Sequence, residues 1–231
     1  MSATYETSDT VQEVLREKEL VPLIGPFAVG KTTLMRAVES LDRRFTRVRS
    51  FTTRPMREGE DAWTYEFLPH NVETLEQIRK QAAARNLVQL IVHPTTGYVY
   101  GTTVHSYGSD FPMLDVMPTS LPGLESLQFR RMRPTFVVAP VAVWTARMNE
   151  RVADSEPGDL RKRLDEGVNS LTWALDQGSD LDWLLNGATG IHEVASNLIH
   201  SVYHGNSGHL VTAARNMAAD LLQEMQALAA A

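Results

Sequence analysis

The chain has 231 residues, of which 43% are hydrophobic, so it can bury a sizeable core as one medium domain, with or without a small lid and tail. Its net charge of −6 offers no global attraction to nucleic acid or to an anionic membrane, and any anion site must be built from locally clustered arginines. The absence of cysteine excludes disulfides and thiolate metal sites. No apolar run approaches a membrane span and residues 1–10 are polar rather than signal-like, so a cytoplasmic setting is expected.

In chain order, residues 10–18 form a short polar helix with Asp9 as its cap. Residues 20–24 (Leu-Val-Pro-Leu-Ile) are a buried strand, and residues 34–38 belong to a helix. Between them lies Gly25-Pro26-Phe27-Ala28-Val29-Gly30-Lys31-Thr32-Thr33, which fits the phosphate-loop pattern G-x-x-x-x-G-K-[ST] in its required strand–loop–helix context. Glycines there let main-chain N–H groups converge on phosphate oxygens, and the helix N-terminus adds partial positive charge. Gly25, Ala28, Val29, Gly30 and Thr33 form the cradle, Lys31 reaches the β- and γ-phosphates of a bound nucleotide, and the Thr32 hydroxyl ligates Mg²⁺.

A second short strand at 48–51 leads into a basic loop carrying Arg54 and Arg57, whose forks suit bidentate capture of a phosphate, with the hydroxyls of Ser50 and Thr52 nearby. Residues 64–68 are strand-like, and Asn71 caps a helix over 72–84. Two strands, 87–92 and 98–103, flank a turn holding Pro94 and Gly97. A strand over 113–116 carries Asp115 at its end, where the second magnesium partner of a phosphate loop belongs. The strand 135–139 runs into a helix opened by Pro140 over 141–152, then a polar loop at 154–159 and a helix over 160–176. A strand at 181–185, a helix at 191–203, a glycine-rich linker at 204–209 and an amphipathic helix at 212–230 complete the chain. The alternation predicts a three-layer α/β fold of the P-loop NTPase class with a mostly parallel sheet. The domain is expected to span residues 1–203. Residues 204–231 are a linker and helix that packs on the body or on a second copy to form a homodimer.

The segment Thr52-Thr53-Arg54-Pro55-Met56-Arg57-Glu58-Gly59-Glu60 resembles the T-T-R-x-P-R-x-G-E signature of guanylate kinases. Gly97-Tyr98-Val99-Tyr100-Gly101-Thr102 looks like that family's G-N-Y-Y-G-[ST] turn, and Leu114-Asp115 like its L-D-I-D strand end. The resemblance covers roughly residues 20–200, and it implies an acceptor-binding β region at about 48–103 and a lid at about 147–163. It implies ATP- and Mg²⁺-dependent phosphoryl transfer to a nucleoside monophosphate, most simply GMP or dGMP, with small nucleotides as partners. It places Ser50, Arg54, Arg57, Tyr65 and Tyr100 on the acceptor monophosphate and Thr102 near its base. Arg147, Arg151 and Arg163 match the lid arginines that close over the triphosphate, and Asn186 matches an asparagine near the donor adenine.

Two positions depart from the family. Gln89 and Met117 stand where it has acidic residues, and guanine's N–H donors favour charged acceptors by about 1.5–3 kcal/mol per hydrogen bond. The alternatives are therefore a kinase of the same fold with a non-guanine acceptor, or a catalytically silent guanylate-kinase-like module that binds a partner protein. His200 and His204, four apart on one helix, lack a carboxylate or thiol that would complete a metal site. Trp63 borders the acceptor loop and reads as a packing residue with stacking as its rival role.

Overall fold

The computed structural model describes residues 6–56, 60–93, 96–152, 157–177, 181–205 and 208–230. Helix α1 (Asp9–Leu15) leads in, and its cap is Ser8 rather than Asp9: the Ser8 hydroxyl accepts from the Val11 N–H at 3.4 Å. Strand β1 (Glu19–Ile24), helix α2 (Lys31–Leu41), β2 (Phe45–Arg47), β3 (Phe51–Thr52) and β4 (Glu66–Phe67) follow. Next come α3 (Val72–Ala83), β5 (Leu87–Val92), β6 (Val99–Thr103), β7 (Phe111–Asp115), α4 (Leu121–Glu125) and β8 (Arg131–Met132). The chain ends through β9 (Thr135–Val138), α5 (Val141–Val152), α6 (Pro157–Asp176), β10 (Asp182–Leu185), α7 (Ile191–His204) and α8 (Gly208–Ala230).

The central sheet runs β10-β9-β1-β7-β2, every pairing parallel. Parallel strands need crossovers and burial on both faces, and β1 and β9 are accordingly near-continuous apolar runs. Pro22 lacks a ladder donor. It falls opposite the break between β8, which pairs with Glu19 and Leu20, and β9, which pairs with Leu23 and Ile24. Helix α2 packs on α7, while α6 packs on α8, which also lies on β10 and α5, so the sheet is the middle of three layers. This is the α/β architecture expected. Helix α8 covers the body with Ala214, Ala218, Leu221 and Met225, all fully buried.

One expected strand is absent as drawn. In place of a strand at 48–51, β2 ends at Arg47 and β3 begins at Phe51, because the chain there leaves one sheet for another. The second sheet, β4-β3-β6-β5, is mixed, with β3 antiparallel to β6 and β6 to β5. It closes its own small core of Phe51, Ile78, Leu87 and Val99 under α3, whose N-terminus Asn71 caps as expected by accepting from the Thr74 N–H at 2.9 Å. The β1 strand sits at the topological switch point, with β7 on one side and β9 on the other. In such sheets the crevice at the carboxyl ends of the strands is where ligands bind.

Candidate active site

The loop from Gly25 to Thr33 occupies that crevice. Gly25 has φ +145°, and a Cβ there would stand 2.3 Å from the Val137 carbonyl oxygen; Gly30 has φ +91°, and its Cβ would stand 2.6 Å from Asn186 Nδ2. Ala28 also takes a left-handed φ of 61°. Gly30 is the N-terminal cap residue of α2, so the first N–H groups of that helix face the loop without helical partners. Lys31 Nζ folds back on the loop, donating to the carbonyls of Gly25 at 2.5 Å and Pro26 at 3.0 Å. Asp115 Oδ1, from the end of β7, stands 3.7 Å from the same ammonium, and its side chain is 43% exposed.

The outer carbonyls of the loop are gripped from behind. Trp144 Nε1 donates to Phe27 O at 2.9 Å, Arg147 Nη1 to Val29 O at 3.1 Å, and Asn186 Nδ2 to Val29 O at 2.7 Å. Trp144 and Arg147 lie on α5, and Asn186 follows β10. Asn186 is 2% exposed and gives one amide N–H to the loop, and Arg147 braces the same Val29 carbonyl from α5. Both still line a hollow behind the loop with Thr33, Glu150, Thr189 and Ile191. The Arg151 side chain lies outside the described residues, as does Arg57.

The mouth of the loop is a separate cavity. Gly25, Pro26, Ala28, Gly30, Lys31 and Thr32 face Asp115 and Met117 across it, and α6 closes it with Arg163, Glu166, Gly167 and Ser170. Arg163 therefore meets Lys31, Thr32 and Asp115 in one place. Met117 lies at this mouth, whereas Gln89 sits in the second sheet paired with Thr102; the cavity does not unite them.

On the second sheet, Tyr65 and Tyr100 stack edge to face with ring centres 6.1 Å apart, and burial raises the Tyr65 pKa. Arg54 lies against Tyr65, 5.0 Å from the ring centre, but its fork is occupied. Nη1 and Nη2 donate to the two oxygens of Glu60 at 2.7 and 2.6 Å, and Nη1 also donates to Pro55 O at 2.9 Å. The expected open phosphate fork is thus a bidentate ion pair, and the Glu60 hydrogen bonds raise the Arg54 pKa. Thr102 is 1% exposed with its hydroxyl 3.3 Å from the Tyr107 hydroxyl, so it packs in the core. Ser50 is half-buried, and its carbonyl accepts from Glu66 N–H at 2.9 Å.

Arg47 was absent from the expected set. It ends β2 at the same edge of the sheet as Asp115 and the loop, with its guanidinium 4.5 Å from the Trp63 ring centre and 5.9 Å from that of Tyr65. Trp63 is also overlaid by Arg36 at 4.2 Å and donates from Nε1 to Glu39 at 3.0 Å, so its role here is packing. Burial lowers the Arg47 pKa. Arginines at 43, 44, 47 and 49, in and around a short edge strand, give no periodicity that singles out one of them.

No family model matches the sequence, and neither does any curated protein. Among solved structures the chain is similar to a guanylate kinase from Anaplasma phagocytophilum, with 13% identity, 84% of this chain and 88% of that chain covered, and a TM-score of 0.50. It is also similar to the tunicamycin resistance protein of Deinococcus radiodurans (15% identity, 82% and 97% covered, TM-score 0.40) and to a gluconokinase from Sinorhizobium meliloti 1021 (12%, 91% and 97%, TM-score 0.37). At this identity the likeness to the guanylate kinase structure shows the fold alone, an α/β architecture with a mostly parallel central sheet. Among the described residues no helix is long and apolar enough to cross a membrane.

Proposed function

We propose that the chain is an ATP-dependent kinase that transfers a phosphoryl group to a nucleoside monophosphate, with GMP or dGMP as the first acceptors to test. The observation that carries this is the cradle at the end of β1: two glycines where a Cβ would collide, the orphan N–H groups of α2, and Lys31 facing Asp115 from the neighbouring strand. A phosphate chain fits there because the cradle supplies neutral donors and a cation with no side chain in the way. Mg²⁺ fits beside it because the Thr32 hydroxyl and the exposed Asp115 carboxylate are hard oxygen donors lining the same mouth. When bound, the ion supplies charge neutralisation of the phosphates.

The residues divide the work. Lys31 exchanges the Gly25 and Pro26 carbonyls for phosphate oxygens when nucleotide arrives. Arg163 adds positive charge at the point of transfer. Trp144, Arg147 and Asn186 keep the loop from relaxing while the acceptor oxygen attacks in line. Such chemistry needs positioning and charge neutralisation rather than a covalent enzyme intermediate. The acceptor is supported to approach from the second sheet, where Tyr65, Tyr100 and Ser50 lie. Gln89 and Met117, in place of acidic residues, favour a second reading in which the acceptor is not guanine. ADP release measured with GMP, dGMP, AMP, UMP, CMP and a set of sugar phosphates tests both, with Lys31→Ala as the blank. Turnover with GMP supports the first reading; turnover only with another acceptor supports the second. Equal ADP release by the Lys31→Ala variant would refute both. Tight binding of a protein partner without ATP affinity would point instead to a silent binding module.

A further inference from the structure

Arg47 presents a guanidinium that the fold half-buries and leaves without an ion pair: among the described residues no carboxylate lies within ion-pair distance of it. Its one side-chain hydrogen bond among them runs from Nη1 to Trp63 O at 2.8 Å, leaving most of a five-donor fork unused. The adjacent Glu39 is engaged elsewhere: one oxygen accepts from the Arg47 main-chain N–H at 2.5 Å and the other from Trp63 Nε1 at 3.0 Å. Glu39 therefore fixes the backbone and the ring that aim the guanidinium, and lends it only long-range attraction. Burying a cation without a close counter-charge is expensive, and such a group is retained where an anion completes it.

The location specifies which anion. Arg47 pairs with Met113 in register, two residues before Asp115, so by strand alternation it shares a face of the sheet with Asp115. It senses both Asp115 and Tyr65 electrostatically. Arg54, the arginine that the loop motif nominates, is closed by Glu60. We propose that Arg47 is the guanidinium that binds the acceptor's phosphate, between Tyr65 and the mouth of the phosphate loop. This deepens the kinase reading and rests on it. Lys31, Asp115 and Arg47 then form a row in which a carboxylate separates the cation of the donor from that of the acceptor.

Arg47 also props Trp63 together with Arg36, so the test must separate binding from propping. GMP, dGMP, AMP, CMP and UMP are titrated calorimetrically into the full chain, with and without the Mg²⁺ complex of a non-hydrolysable ATP analogue. The tightest of them is then titrated into Arg47→Gln, Arg47→Lys, Arg54→Gln and Arg36→Gln. Arg47→Gln is expected to weaken that monophosphate about 10- to 100-fold, the equivalent of one charged hydrogen-bonded contact, while ATP-analogue affinity stays within about twofold. Arg47→Lys recovers only part of the loss, since an ammonium cannot reproduce the fork. Arg54→Gln weakens it less than Arg47→Gln does, and Arg36→Gln lowers the melting temperature but leaves monophosphate affinity intact. Wild-type affinity in Arg47→Gln, or an equal loss in Arg36→Gln, overturns the inference and leaves the kinase reading standing. Monophosphate binding that depends on Arg47, in a chain that does not bind the ATP analogue, does the reverse. If no monophosphate binds the wild-type chain, both fail.

Discussion

Two donors converging on one carbonyl give a sharp test of how the phosphate loop is held. Val29 is fully buried, and its carbonyl oxygen accepts from Arg147 Nη1 at 3.1 Å and from Asn186 Nδ2 at 2.7 Å. Removing either donor leaves the other in place, so Asn186→Ala and Arg147→Met each lose about 0.5–1.5 kcal/mol of net hydrogen-bond stability, beyond any change in packing. Removing both leaves a buried acceptor with no partner, a penalty of about 1–3 kcal/mol that neither single variant incurs. The double variant should therefore be less stable than the sum of the two by about 1–3 kcal/mol. Urea unfolding of the four proteins, followed by far-UV circular dichroism, completes the cycle. ATP-analogue affinity measured alongside should drop most in the double variant, because the slackened loop no longer presents its N–H groups together. Additive stabilities would refute the grip. So would single variants of unchanged stability whose only defect is weak nucleotide binding, for then Arg147 and Asn186 act on the nucleotide directly.

Further expectations follow from the same geometry. Gly25→Ala should abolish ATP-analogue binding and lower stability by more than about 2 kcal/mol, since a left-handed φ and a clash with rigid main chain at Val137 act together; calorimetry and urea unfolding check it. Gly167→Ala should be mild by comparison in the same unfolding assay, because its Cβ would meet the flexible Met225 side chain, 2.7 Å away at sulfur. Asp42 is held at about 2, below its ordinary 3.8, chiefly by the Arg44 side-chain hydrogen bond. Its contribution is complete above about pH 4 and is lost as pH falls towards 2, so the stability gap between wild type and Asp42→Asn should narrow over that window. Tyr203, pushed up to about 12 by burial and by donating to Asp42, contributes below pH 10 and should lose that contribution as pH rises from 10 to 12; Tyr203→Phe should flatten that limb in pH-dependent melting.

The phosphate loop, the Asn71 cap and the Pro140-led helix α5 were legible in the sequence because each is decided within a few residues by φ restrictions and local hydrogen bonds. What escaped was decided by partners far along the chain or by a change of sheet. The split of 48–51 follows from the chain crossing between two sheets, and no local pattern marks that. Arg54 resembles a phosphate ligand by motif, yet Glu60, six residues on, claims its fork. Asn186 and Arg147 are committed to Val29, 157 and 118 residues away, and only the closed fold reveals it. Arg47 went unnoticed for the opposite reason: its significance is a shortage of partners, and a sequence displays residues but not the lack of neighbours around them.

The position of β1 in the sheet bears on the order in which nucleotide competence is acquired. During synthesis β1 and its loop emerge early, but the strands that flank β1 follow only at Phe111–Asp115 and Thr135–Val138, and the last clamp on the loop at Asn186. Such distant pairings carry a large closure entropy and form slowly. A ribosome-bound chain stalled before Asn186 should thus carry the whole phosphate-loop motif and still fail to retain ATP. On the kinase reading proposed above, nucleotide capture would then report the maturation of the entire sheet rather than the presence of the motif alone.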